Sequence, residues 1–199
     1  MPYERHTREE RRNEILLGAL EVFLQKGYRD TTMEDIIKNT SLSKGGFYHY
    51  YKNKENILID LIRMKNFNYL YGKLKVRPRA TKDEVCRQLA RVFVDRMMDQ
   101  TSQSKLFLMM AMELANDTQA FYDLYYEVED EAIQLIVSAI KLVAPHFDED
   151  KKMSELMLLY RVNNTLHFVS NLYVQKEGWN VSANLLFDLY YEMFKKLIV

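Results

Sequence analysis

Apolar side chains recur at three- and four-residue intervals along nearly the whole chain, and only three prolines and six glycines interrupt it. Most of those breakers stand where the apolar rhythm also fails, which is how an all-helical protein is punctuated. The pattern predicts an all-α fold of about nine helices. Thr7 and Glu10 have the spacing of a capping box, and the helix they open carries Ile15, Leu16, Ala19, Val22 and Phe23 on one face until Gly27 ends it. Two short helices follow near 33–39 and 43–50, and a fourth from about Lys54 runs through Leu58, Leu61, Ile62 and Met64 toward Gly72. Arg77-Pro78-Arg79 closes that block.

Thr81 with Glu84 repeats the capping box and opens a helix bearing Val85, Leu89, Val92, Phe93 and Met97. A short helix is expected at 106–114. A long one then presents Phe121, Tyr125, Val128, Ala132, Leu135, Ala139 and Leu142 before Pro145 stops it. Two more are expected, at 149–176 and from about Asn180, the last with Leu185, Leu186, Leu189, Met193, Phe194 and Leu197. The punctuation divides the chain into an N-terminal domain at 1–53, a connecting helix at 54–77 and a larger domain at 78–199.

The 199 residues suffice for such a pair of cores. With 28 basic and 28 acidic side chains, overall charge favours no class of partner. Cys86 is the single cysteine, so no internal disulfide forms, and no apolar stretch follows the charged start, which points to the cytoplasm. Charged residues interrupt every stretch before it reaches the roughly 18 apolar residues a membrane helix needs. His6, His49, His146 and His167 lack mutual ligand spacing, and there is no glycine-rich phosphate loop. Neither a metal, a cofactor nor a catalytic constellation is indicated, so an enzyme is not expected.

Residues 28–56 carry the strongest functional signal. Thr32 is placed to cap a short helix with Asp35 as its third residue, and Asn39-Thr40-Ser41 supplies a polar turn before the apolar anchor Leu42. Ser43 then caps a second helix that begins Lys44-Gly45-Gly46. Such an amino end, with unpaired N–H groups and glycines that permit close approach, is suited to an anion such as a phosphate. Between Ile36 and Lys54 stand Lys38, Lys44, Lys52, Lys54 and His49 without one acidic side chain. Helical geometry puts Phe47, Tyr50 and Tyr51 on one side and Lys44 and Tyr48 toward the other, so one face anchors while the other meets DNA. Arg5, Arg8, Arg11 and Arg12 have two readings, a groove-seeking arm or a surface helix face, because Glu9, Glu10 and Glu14 interleave with them.

The stretch Gly27-Tyr28, Thr31-Thr32-Met33-Glu34-Asp35-Ile36, then Leu42-Ser43-Lys44-Gly45-Gly46-Phe47-Tyr48-His49-Tyr50-Tyr51 with Lys54-Glu55 resembles the DNA-binding domain of the TetR (tetracycline repressor) family. The resemblance implies a three-helix, helix-turn-helix DNA-binding domain followed by a helical ligand-binding and dimerisation domain. It implies that Thr32, Ser43, Tyr48, His49 and Lys54 hold phosphates, that Lys44 and Gly45 enter the major groove, and that Phe47 and Tyr51 pack inside. Phosphate contacts set register while few residues read bases. Two positions depart from the family pattern: Gly46 stands where a base-reading side chain is frequent, and Tyr51 where phenylalanine is common.

In the larger domain Met153, Leu156, Met157 and Tyr160, with the leucines of the last helix, suggest a two-fold four-helix dimer interface. A homodimer would set two recognition helices about 34 Å apart and require a near-palindromic double-stranded operator. Tyr160, Asn163, Asn164, His167 and Asn171 are polar groups at helical spacing in an apolar segment. They either line a pocket or are satisfied core and interface groups. Met97, Met98, Met109, Met110 and Met112 with Phe107, Tyr122, Tyr125 and Tyr126 either wall an adaptable apolar cavity or form ordinary core. The resulting expectation is a repressor released by a small, largely apolar ligand, with Met97, Met109, Tyr122, Tyr125, Asn164, His167 and Asn171 as the ligand-contacting set. The alternative is a DNA-binding regulator or adaptor controlled by a protein partner.

Overall fold

The computed structural model describes residues 7–99, 118–173 and 182–198. Eight helices occur among them: α1 (Arg8–Lys26), α2 (Met33–Lys38), α3 (Lys44–Tyr50), α4 (Lys54–Lys73), α5 (Lys82–Met97), α6 (Thr118–Lys141), α7 (Glu149–Tyr173) and α8 (Ala183–Leu197). The all-α expectation holds, and the helix expected at 106–114 lies outside the described residues. None of the helices is long and apolar enough to cross a membrane. The described residues fall into two compact units, one of 7–65 with 118–124 and the other of 66–99, 125–173 and 182–198.

In the first unit α1 is the platform. Thr7 Oγ1 accepts from the Glu10 amide at 3.2 Å, and Glu10 reaches back to the Thr7 amide at 2.7 Å. These bonds satisfy two of the amide groups a helix start leaves unpaired. At the other end Gly27 takes a φ of 81°, which favours glycine, and its amide closes on the Phe23 carbonyl at 2.9 Å. The apolar face of α1 buries Ile15, Leu16, Ala19 and Phe23, and Ile36 of α2, Phe47 of α3, Tyr51, and Ile57, Leu58 and Leu61 of α4 are buried in the same unit. Each large apolar side chain buried there contributes about 1.5–3 kcal/mol.

Where α1 passes the turn after α2, the backbones come so close that only glycine fits. A Cβ at Gly18 would lie 2.8 Å from the Asn39 carbonyl oxygen. The same crossing is tied by the Asn39 side-chain amide, which donates to the Gly18 carbonyl at 3.0 Å and to Glu21 at 2.9 Å.

The second unit is built around α5, which packs against α7 and α8. Phe93 is its hub: Tyr160, Tyr190 and Phe194 stand edge-on to it with centroids 6.4, 5.4 and 5.0 Å away. Asn163 stitches the three helices together, donating to the Phe93 carbonyl at 3.0 Å and to the Tyr190 hydroxyl oxygen at 2.8 Å. From α6, Ile133, Ile136, Val137 and Ile140 complete the core. Glu129 of α6 is buried and receives a two-pronged pair from Arg161 of α7 at 2.9 and 2.7 Å.

The crossing at Gly18 yields a test. Gly18→Ala is expected to lower stability by about 1–3 kcal/mol, because the added methyl meets backbone that cannot turn aside. Gly72→Ala, where a Cβ meets nothing within 4 Å, is expected to gain up to about 1 kcal/mol of helix propensity. Urea unfolding of the full chain, followed by circular dichroism, measures both.

Candidate nucleic-acid interface

The segment 31–54 folds as two short capped helices joined by a tight turn. Thr32 caps α2: its hydroxyl oxygen accepts from the Asp35 amide at 3.2 Å, and Asp35 accepts from the Thr32 amide at 2.9 Å and its hydroxyl at 2.7 Å. Lys26 pairs with Asp35 at 2.6 Å. Lys26 first, and the Thr32 bonds after it, hold the Asp35 carboxyl far below the ordinary range. Ser43 caps α3 by accepting from the Gly46 amide at 3.3 Å.

Two side chains of α1 fasten the turn between the helices. Glu14 accepts from the Ser41 amide at 2.6 Å, while Arg11 donates to the Ser41 hydroxyl at 2.7 Å and pairs with Glu14 at 2.8 Å. Burial pushes the Glu14 carboxyl up, but the bonds from Ser41 and Arg11 outweigh it and hold the acid below its usual range.

The carboxyl end of α3 is fixed by a second polar latch. Tyr51 is buried, and its hydroxyl donates to Asp60 of α4 at 2.7 Å while accepting from Arg12 of α1 at 3.1 Å. Arg12 and Asp60 pair directly at 2.6 Å. The departure to tyrosine at this position thus gains a use, since the hydroxyl joins three helices that a phenylalanine would only touch. Burial, and then the bond to Asp60, push the phenol up to about 12.

Between these fastenings α3 presents a free side. Phe47 is fully buried, as expected, whereas Tyr50 is half-buried with its ring edge-on to His49 at 5.7 Å. Ser43, Lys44, Gly45 and His49 are exposed and Tyr48 is half-buried. A Cβ at Gly45 would meet nothing within 4 Å, so no internal contact requires glycine there.

Three of the lysines have specific partners. Lys44 pairs with Glu34, in the first turn of α2, at 2.8 Å, which brings the amino ends of α2 and α3 within one side chain's reach. Lys52 donates to the Tyr48 carbonyl at 2.7 Å. Lys54 directs its ammonium at the carbonyls of Tyr28, Arg29 and Thr31, at 2.7, 2.9 and 2.9 Å, and lies over the Tyr28 ring. All three of its N–H groups are thereby used in this arrangement, so Lys54 organises the loop that delivers Thr32. Of the N-terminal arginines, Arg11 and Arg12 are fasteners, Arg8 is exposed, and Arg5 lies outside the described residues.

Sequence reasoning singled out neither Glu34 nor the pair formed by Arg12 and Asp60. Partners 48 residues apart leave no periodic trace. The tyrosine itself was the available signal, because a buried phenol needs a hydrogen-bond partner.

In the second unit the expected ligand-contacting residues that are described lie together. Asn164 accepts from buried Arg96 at 2.8 Å, the Arg96 guanidinium stands 5.8 Å from the centre of the Tyr160 ring, and His167 Nδ1 is 3.5 Å from the carbonyl of buried Met97. Met109, and the side chains of Tyr122, Tyr125 and Asn171, lie outside the described residues. The expected dimer-facing residues divide differently from the sequence pattern. Leu156 and Tyr160 are buried within the unit, and on α7 it is Leu158 and Val162 that face outward.

Residues 15–61, which contain the whole helix-turn-helix, match the family model for bacterial regulatory proteins of the tetR family. The chain carries the N-terminal domain of the tetR family. The tetR-family segment is 38% identical over 69 residues to YuxN of Bacillus subtilis, an HTH-type transcriptional regulator, covering 35% of this chain and 22% of that one. It is 35% identical over 54 residues to QacR of Staphylococcus aureus, covering 27% and 29%. The chain thus spans less than a third of the length of either relative. IcaR of S. aureus, a negative transcriptional regulator of a biofilm operon, is 23% identical over 141 residues, 70% of this chain and 71% of its own. Among solved structures, Salmonella enterica GusR superposes with a TM-score of 0.63 at 14% identity, covering 98% of this chain and 99% of its own. A TetR-like regulator from a Rhodococcus species gives 0.60 at 18%, covering 96% and 97%. The fold around the tetR-family domain is therefore shared over nearly the full chain.

The Tyr51 latch has a pH signature. The folded protein keeps the phenol protonated to about 12 against 10.0 for a free tyrosine, so the stability it adds is complete below pH 10 and declines as pH rises from 10 toward 12. Tyr51→Phe is expected to cost about 0.5–1.5 kcal/mol at neutral pH and to flatten that alkaline decline. Thermal unfolding of both proteins across this pH range measures the difference.

Proposed function

We propose that this chain is a sequence-specific DNA-binding transcriptional regulator that works in the cytoplasm as a homodimer on a near-palindromic operator. The observation that carries the reading is the exposed amino end of α3, set by Ser43 and held by buried Phe47 and Tyr51, within a segment that matches the tetR family. Thr32, Ser43, Tyr48 and His49 take phosphates, and Lys44 and Gly45 approach base edges. Lys54 acts by holding the loop that positions Thr32. Gly46 offers no side chain to a base, so readout falls on its neighbours and on duplex shape. Repression is supported by the likeness to IcaR, a negative regulator.

Dimerisation is supported by an outward apolar stripe on the last two helices: Leu158 and Val162 on α7, and Leu185, Leu189 and Met193 on α8. The α8 residues recur every four positions and form one line along the helix. Covering it with the same line from a second copy makes a four-helix, two-fold contact. Release by a small, largely apolar effector is supported by the cluster of Met97, Tyr160, Asn164 and His167 in the second unit, where a few polar groups sit among aromatic and apolar ones. Such an effector weakens operator binding by the factor by which operator weakens its own binding.

Mobility shifts with genomic fragments test the DNA reading. The wild type is expected to retain a subset of fragments, less tightly as salt rises. Tyr48→Phe is expected to weaken all retained fragments by about 0.5–1.5 kcal/mol. Lys44→Ala is expected to relax the preference among fragments. Retention of none by the wild type at low salt refutes the reading. Separately, Leu189→Asp is expected to convert the dimer to a monomer by light scattering, with helicity unchanged.

A further inference from the structure

The lysines of the acid-free run do not present equal charge to a partner. Lys52 is hydrogen-bonded to the Tyr48 carbonyl oxygen, which is neutral, so its positive charge persists in the surrounding field. Lys44 is instead held by an anion, the Glu34 carboxylate 2.8 Å away. Glu34 belongs to α2 and lies just outside the run, so the fold brings an acid into a stretch that the sequence keeps free of them.

Stability does not account for this pair. Both side chains are 65% exposed, and exposed pairs of this kind contribute little to folding. Its effect is local charge. Beside Lys44 the surface is open, since a Cβ at Gly45 meets nothing within 4 Å, and here the amino end of α3 is available to an approaching anion. Glu34 occupies the ammonium that would meet that anion and adds a negative charge beside it. The carboxyl is held below its ordinary range by Lys44 first, so it stays ionised throughout the physiological range.

We propose that Glu34 is an internal stand-in for a DNA phosphate, a positioning residue that withholds Lys44 from the duplex backbone and so attenuates non-specific DNA binding. The proposal rests on the DNA-binding reading above. A duplex phosphate reaching Lys44 displaces Glu34, which then takes up a cation from solution. The cation released from the phosphate is balanced by that uptake, so Lys44 adds nothing to the salt dependence. With Glu34 neutralised, the same contact releases one cation net.

The test uses the full-length protein and a random-sequence DNA duplex, titrated by fluorescence anisotropy over a range of salt concentrations. Glu34→Gln is expected to tighten binding about two- to fivefold and to steepen the slope of log affinity against log salt by about 0.9. In a Lys44→Gln background, where Glu34 has no ammonium to withhold, Glu34→Gln is expected to lose the added slope. An unchanged slope in Glu34→Gln, or an equal increase with and without Lys44, overturns the proposal while leaving the DNA-binding reading intact. Failure of the wild type and of Glu34→Gln alike to bind any duplex at low salt overturns both. A folding defect is excluded by an unchanged melting temperature, expected because both side chains are exposed.

Discussion

A helix of seven residues does not hold itself together in water, because nucleation uses up more conformational freedom than so few hydrogen bonds repay. The segment that carries the proposed function is such a helix, and α2 before it is shorter still. Everything useful about α3 depends on fastenings supplied by α1 and α4. Phe47 and Tyr51 are buried on its inner side, while Arg11 and Glu14 clasp the turn before it and Arg12 with Asp60 clasps the residue after it. With both ends tied, the glycines at its start can be tolerated. Gly45 weakens the helix by roughly 1 kcal/mol relative to alanine, and no neighbour within 4 Å demands it.

The legibility of this arrangement in the sequence follows the range of the interactions. Capping boxes at Thr7, Thr32 and Thr81 involve residues three apart, and all three are present as the spacing predicts. Gly27 was legible as a stop for the same reason. The buried face of α1 and the core positions of α5 follow from periodicity alone. Interactions between elements were not legible at this level. Nothing local marks Arg12 for Asp60, Asn39 for Gly18 or Lys44 for Glu34, since each pairing exists only once two helices have been placed. The basic run was visible as composition, yet what each lysine does with its charge is a property of the folded surface.

The same limit shaped the reading of the second unit. An apolar helix with several polar residues on it is consistent with a pocket, a dimer face or a core, and helical spacing cannot separate them. In the fold, Asn163 binds the Phe93 carbonyl and the Tyr190 hydroxyl, and Asn164 receives Arg96. Residues one step apart on α7 therefore serve different neighbours. The outward line on that helix is Leu158 and Val162, while Leu156 and Tyr160 turn inward. A shift of two positions, about 200° around a helix, was enough to exchange core for surface.

These polar groups also constrain how the second unit can be packed. An aromatic cluster around Phe93 would tolerate several arrangements on hydrophobicity alone, because edge-on contacts between rings are individually weak. Asn163 removes that freedom: its amide satisfies a backbone carbonyl of α5 and a hydroxyl of α8 at once, and sliding either helix would leave a buried polar group unpaired at a cost of about 1–3 kcal/mol. Glu129 and Arg161 do the same between α6 and α7, where parting the pair would strand a buried carboxylate. A molecule that enters this core and moves one of these helices must therefore offer hydrogen bonds in exchange, so a wholly apolar effector would be a poor one. Under the release mechanism proposed above, the effector would be a mainly apolar body with at least one polar group able to replace an asparagine's partner.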